Sequence, residues 1–245
     1  MKLQVFADPG AVAKAGAEFI AAEARAAVTA RSRFLIAVSG GSTPWQMLRA
    51  LAAESVPWAS MHVFQVDERV APAGDPDRNL THLTQALLEN SPLTPEQIHP
   101  MPVGEDDLEA AAASYSRLLA QIAGVPTTLD LVHLGLGPDG HTASLVPGDP
   151  VLNSIERDVA TTKPYQGRRR MTLTYPILNR SRRILWLVAG ADKAAMLARL
   201  REGDQSIPAG RVRQDEALVL ADRAAAGPEC GRRILPQFLD RSSTT

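Results

Sequence analysis

The chain reads as an α/β protein: a doubly wound, mostly parallel open sheet with helices on both faces. Three observations predict this. Short β-rich runs alternate with alanine-rich segments of helical spacing, the pattern of βαβ units. Runs such as 34–39 and 183–189 are apolar at nearly every position, as strands covered on both faces are. No internal repeat or low-complexity linker interrupts the alternation, so the chain is expected to form one catalytic domain over 1–240 with a disordered tail at 241–245.

In chain order, the first strand is expected at 3–7 and a long alanine-rich helix at 11–29. A strand at 34–39 precedes a helix at 44–53, which starts on Pro44 behind Thr43 as a cap. A strand at 62–67, helices at 80–88 and 107–123 and a strand at 129–135 follow. The last third holds a strand at 171–174, a short helix near 176–180, a strand at 183–189, a helix at 191–201 and a strand at 218–221. In such Rossmann-like sheets the ligand lies beyond the carboxyl ends of the strands, which directs attention to the loops there.

Composition removes several classes. Apolar residues make up 45% of the chain and charged residues 22%, as in globular proteins rather than disordered ones. The balance of 26 basic against 27 acidic residues argues against a nucleic-acid partner. The apolar runs are too short to span a bilayer, no signal peptide is read at residues 1–10, and Cys230 has no second cysteine to pair with. A cytoplasmic protein without membrane association is expected. Whether it is a monomer or a small homo-oligomer is not legible, because helix faces packed on a core and on a partner look alike.

The strand ends carry the chemistry. After 34–38 comes Ser39-Gly40-Gly41-Ser42-Thr43-Pro44, a glycine-rich turn into a helix whose free N–H groups and dipole suit an anion, most naturally phosphate. The same loop also reads as a plain strand-to-helix turn. It is not a Walker loop, since no Gly-Lys-Ser/Thr follows. The next strand ends in Asp67-Glu68-Arg69, three ionisable groups that must be paired or used. Arg69 either pairs with Asp67 or meets a substrate anion.

The third strand end reads Gly135-Leu136-Gly137-Pro138-Asp139-Gly140-His141-Thr142-Ala143-Ser144. Its glycines allow close backbone approach, and His141 suits a general base because imidazole titrates near neutrality. Asp139 is near enough in sequence to orient it. One His with one Asp, and no HExxH or Cys/His cluster, is a poor metal set, and no Gly-x-Ser-x-Gly elbow is present. His62, His82, His99 and His133 are read as isolated structural or solvated residues. Downstream, Lys163-Pro164-Tyr165-Gln166-Gly167-Arg168-Arg169-Arg170 is either a solvated loop or a cationic flap over a phosphate. Lys193, just after the strand at 183–189, is a weaker candidate of the same kind and reads first as an exposed residue in the first turn of a helix.

Taken together, Ser39-Gly-Gly-Ser-Thr-Pro44, Asp67-Glu-Arg69 and Gly135-x-Gly-x-Asp-Gly-His-Thr-Ala-Ser144 resemble the 6-phosphogluconolactonase family in order and spacing, over nearly the whole chain. The resemblance implies a sheet related to that of glucosamine-6-phosphate deaminases. It also implies hydrolysis of 6-phospho-D-glucono-1,5-lactone in the pentose phosphate pathway, without metal or organic cofactor. By it, His141 falls on the general base and Gly40, Gly41, Ser42 and Thr43 on the substrate loop. Arg69 and Lys163 fall on cations that hold the phosphate. Asp67, Gly137, Asp139, Gly140 and Arg170 are expected around the same small-molecule sugar phosphate. The family's Lys-Pro-Pro is replaced here by a longer loop, Tyr165 to Arg169, so Arg168 or Arg169 is an alternative to Lys163.

The related deaminases carry a glutamate five residues after the histidine, where this chain has Val146, and usually a tyrosine where it has Arg69. Valine cannot titrate, so the proton relay for ring opening and amine loss is incomplete. A non-catalytic sugar-phosphate sensor is the rival of another class; it needs an output element such as a helix-turn-helix, and none is read here.

Overall fold

The computed structural model describes residues 1–227. The expected tail at 241–245, Cys230 and the 228–240 end of the expected domain lie outside the described residues.

The chain opens with strand β1 (Lys2–Phe6) and helix α1 (Pro9–Arg31), then β2 (Phe34–Val38) and α2 (Ser42–Leu51). It continues through β3 (Met61–Gln65), β4 (Asp67–Arg69), α3 (Asn79–Ala86), β5 (Ile98–His99), α4 (Leu108–Ala123) and β6 (Leu131–Gly135). The last part runs β7 (Val159–Thr161), β8 (Arg170–Leu173), α5 (Tyr175–Arg180), β9 (Arg183–Val188), α6 (Ala194–Arg201), β10 (Ala217–Asp222) and α7 (Arg223–Ala226).

Seven strands form a parallel sheet in the order β1-β10-β9-β6-β2-β3-β5. From β2 the chain winds outward through β3 to β5, and from β6 it winds the other way through β9 and β10. The topological switch therefore lies between β2 and β6, which pair through Ile36 with Leu131 and Ala37 with Val132. Alternate residues of the buried strands feed two cores. Phe34, Ile36, Leu185 and Leu187 join α1, α2 and α3 on one face. Leu35, Ala37, Val132, Leu134 and Trp186 join α4, α5 and α6 on the other. Each large apolar side chain buried this way contributes about 1.5–3 kcal/mol. No helix among the described residues is long and apolar enough to cross a membrane.

The helices show why the sequence folds locally. Asp8 caps α1 by accepting from the Ala11 amide at 2.8 Å, with Pro9 in the first turn, so the helix starts before the expected residue 11. Its buried stripe is mostly Ala, and a Cβ on Gly16 would come within 2.9 Å of Met47 Sδ, so α1 packs closely on α2.

Several expectations are corrected. The strand at 171–174 is not part of the main sheet: β8 is the centre of a separate antiparallel sheet, β4-β8-β7. The expected strand 62–67 splits at Val66. Its amide still bonds Val38 of the main sheet, while its carbonyl accepts from Leu173 of the small one, so the chain changes sheets there. Strands β5 and β7, of two and three residues, are too short to show a period. Helix α2 is capped by Gly41 rather than Thr43, because Gly41 takes φ 132° and Ser42 already opens the helix. Of the expected helix 191–201, the first three residues form a 3-10 turn. His62 and His99 are not isolated: their Nδ1 and Nε2 atoms lie 3.0 Å apart across the β3–β5 edge.

Candidate active site

A cleft of roughly 270 Å³ opens at the switch point, beyond the carboxyl ends of β2 and β6. One wall is the turn after β2. Ser39 is tied to β6 by two bonds that it donates to His133: its amide to Nδ1 at 3.2 Å and its hydroxyl to the carbonyl at 2.9 Å. Burial drives the His133 pKa down to about 3, so the ring is a neutral acceptor that fixes the turn. The α2 N-terminus has no side-chain cap, so the first-turn amides of Ser42 and Thr43 lack an intrahelical partner, and both residues line the cleft. Gly40 admits no side chain, since a Cβ would sit 2.1 Å from Asn79 Oδ1.

The second wall is the loop after β6. The Gly137 amide donates to the His141 carbonyl and the Gly140 amide to the Gly137 carbonyl, so these two donors are occupied within the turn. The turn brings His141 Nδ1 to 2.5 Å from Asp139 Oδ1, and the His141 amide also donates to that oxygen at 3.2 Å. A carboxylate accepts, so Nδ1 carries the hydrogen, and in the neutral ring Nε2 is then the atom with the lone pair. The imidazole is about one-fifth exposed, enough to meet solvent and ligand. Burial pushes the Asp139 carboxyl up. The His141 amide and ring and the Tyr165 hydroxyl outweigh it and hold the group below its ordinary range.

The third wall comes from the small sheet. Asp67, buried, accepts the Ser144 hydroxyl at 2.5 Å and Asn79 Nδ2 at 3.3 Å. Arg69 does not pair with Asp67. Its Nη1 donates instead to the Asp77 carbonyl at 2.8 Å and to Asn79 Oδ1 at 2.9 Å. Glu68, fully buried, organises this corner by accepting from the amides of Arg69, Asn79 and Leu80 and from Gln65 Nε2, each at 2.8 Å. Arg78 adds an ion pair at 3.4 Å. Arg170 reaches Ser144 Oγ at 3.5 Å and Gln166 Oε1 at 3.2 Å. Burial, followed by the Arg69 charge, draws its pKa below the usual range, against the pull of Asp67 and Tyr165. Arg69 and Arg170 both line the cleft, and the Nε atom of each is buried without a protein partner.

Of the residues expected from sequence, Gly40, Gly41, Ser42, Thr43, Asp67, Arg69, Gly137, His141 and Arg170 line this cleft. Asp139 and Gly140 stand directly behind it, holding His141 and the loop turn. Lys163 is not brought in. Its side chain is exposed, away from the cleft lining, and its amide is bonded to Asp149. Neither alternative replaces it: Arg168 is spent on Asp75 and Asp77, and Arg169 on Glu109. Lys193 does line the cleft, half-buried at the end of the turn after β9, against its reading as an exposed helix residue. Asn79, Ser144 and Tyr165 were not expected in the site. Asn79 stands one residue before the expected helix start, the one signal for its place. Val146 is buried. Among the described residues, no group of three or more His, Cys, Asp or Glu is placed to hold a metal ion.

Comparison with known proteins identifies the family and the fold. Residues 7–220 match the family model described as glucosamine-6-phosphate isomerases/6-phosphogluconolactonase. A 6-phosphogluconolactonase of Mycobacterium leprae is 38% identical, covering 91% of this chain and 96% of its own. The crystal structure of a 6-phosphogluconolactonase from Thermotoga maritima superposes with a TM-score of 0.80 at 26% identity, over 90% of this chain and 98% of that one. A monomeric glucosamine-6-phosphate deaminase shares the fold, with a TM-score of 0.80 at 20% identity over 92% and 99% of the two chains.

Proposed function

The chain belongs to the family of glucosamine-6-phosphate isomerases and 6-phosphogluconolactonases, and from that membership we propose that His141 is the general base of its lactone hydrolysis. The enzyme converts 6-phospho-D-glucono-1,5-lactone to 6-phosphogluconate, a step of the pentose phosphate pathway. The observation that carries the reading is the convergence, in one cleft, of the Asp139-held His141 with the two arginines Arg69 and Arg170.

A δ-lactone is an activated ester and needs no covalent intermediate. The phosphate binds between Arg69, Arg170 and the Ser42–Thr43 amides, with Lys193 adding charge, and this remote anchoring orients the carbonyl. His141 Nε2 takes a proton from water as the water oxygen bonds to C1. The tetrahedral adduct then collapses, the bond from C1 to the ring oxygen breaks, and the imidazolium returns the proton to that oxygen. The product acid ionises in solution. Since the Gly137 and Gly140 amides are occupied, the Gly40 and Gly41 amides are the better-placed backbone donors for the oxyanion.

The substrate is a free small molecule. The near-zero net charge supports an enzyme that works without a nucleic-acid partner. A pH-stat assay on freshly generated lactone, beside glucosamine 6-phosphate, tests the assignment. Acid release above the spontaneous rate on the lactone is expected, and turnover of the amine alone reverses it.

A further inference from the structure

The loop at 163–169, where the chain departs from the family's Lys-Pro-Pro, has a definite shape. Tyr165 and Arg168 exchange backbone hydrogen bonds at 2.9 and 3.3 Å, with Gln166 and Gly167 at φ 52° and 81°. Arg168 ties the turn to Asp77 at 2.7 Å and to Asp75 at 3.3 Å. This placement sets the Tyr165 hydroxyl 3.0 Å from Asp139 Oδ2, while Oδ1 receives His141. The Tyr165 ring stands edge-on to the imidazole at 5.6 Å and 67°, and the Arg170 guanidinium lies 4.9 Å over its face.

We propose that Tyr165 is a positioning residue of the lactone hydrolysis, its hydroxyl locking the Asp139 carboxylate in the orientation that aligns the His141 ring. The proposal rests on His141 acting as the base. The Asp139 side chain is about one-third exposed, and both hydrogen bonds from His141 fall on Oδ1. Without Tyr165, Oδ2 is open to water and the carboxylate can turn about its last torsion, taking the imidazole with it. The hydroxyl also directs the positive end of its dipole at Asp139, which moderates the negative field on the imidazole. The other charges facing the dyad are Arg170 beside Tyr165, Arg69 and Asp67 from the small sheet, and Lys193 across the cleft. All are retained in a Tyr165→Phe variant.

In Tyr165→Phe, kcat is expected to fall roughly tenfold, as for loss of one hydrogen bond to a charged group. KM should stay close to that of the parent. The acidic limb of kcat/KM should move to higher pH by on the order of half a unit. The Asp139 side-chain carboxyl, followed by carbon NMR, should titrate at higher pH, a readout independent of turnover. An unmoved limb together with an unmoved Asp139 titration overturns the proposal, whatever happens to kcat. The kcat of His141→Ala, measured beside these, separates the two readings. If His141→Ala keeps its kcat, the base assignment falls and the proposal with it. If His141→Ala is inactive and Tyr165→Phe leaves limb and titration unchanged, only the role of Tyr165 falls.

Discussion

Gly137 lies so close to the His141 ring that a Cβ on it would stand 2.1 Å from Nδ1 and 2.3 Å from Cε1. The backbone of Gly137 has no positive φ, so the glycine is needed for space rather than for conformation. Gly137→Ala should therefore fold and displace the imidazole. A shift on this scale at a general base lowers kcat by roughly a hundredfold, with little change in melting temperature. Gly140→Ala should do the reverse. At φ 82°, with Ile207 Cβ 2.7 Å from the new methyl, it strains the loop and lowers the melting temperature. If Gly137→Ala keeps the parent kcat, the ring is not held where the contact places it.

His141→Ala should lower kcat by roughly a hundred- to ten-thousandfold after correction for spontaneous hydrolysis. Affinity for 6-phosphogluconate, measured by calorimetry, should stay near that of the parent if, as proposed, the anion is held by Arg69 and Arg170 and not by the imidazole. An unchanged kcat removes His141 from the mechanism.

The doubly wound sheet was legible because its central strands are apolar on both faces, and the cleft was legible because β2 and β6 end in glycine-rich motifs. The small antiparallel sheet was not. Its strands have three or four residues, and Val66, between Gln65 and Asp67, joins both sheets where no glycine or proline marks a break. The dyad was anticipated from the spacing of Asp139 and His141, since a two-residue separation can be judged from the chain itself. The cations were harder: Lys163, Arg168, Arg169, Arg170 and Lys193 carry similar charge, and only the course of the backbone sorts them. Asn79 and Tyr165 reach the site from 12 and 26 residues away from the groups they hold, and sequence spacing says nothing about such contacts.

The sorting of those cations has a kinetic consequence. With the phosphate held as proposed, Arg69→Ala and Lys193→Ala should each raise KM more than they lower kcat, since such an anchor acts in ground and transition state alike. Lys163→Ala should leave both constants near the parent values, because its ammonium stands away from the cleft. Steady-state kinetics on the three variants decide the matter. A KM effect confined to Lys163→Ala would restore the family-based assignment and require the 163–169 loop to close over the substrate.

The buried His133 makes stability fall in mild acid. Burial lowers its folded pKa to about 3, against an ordinary 6.5, so the folded chain binds this proton more weakly than the unfolded chain does. For a histidine shifted in this direction the contribution is complete above the unfolded value and is lost as pH falls toward the folded one. Between about pH 6.5 and about pH 5 this ring alone removes up to about 1.4 kcal/mol per pH unit. His99, lowered to about 4 by burial and by the nearby His62, acts in the same direction. His133→Asn does not titrate, yet its side-chain oxygen offers the Ser39 amide an acceptor. Its urea midpoint should therefore start lower near neutrality and decline less steeply through this window. Parallel declines in parent and variant would show that the acid sensitivity originates elsewhere than under the phosphate turn.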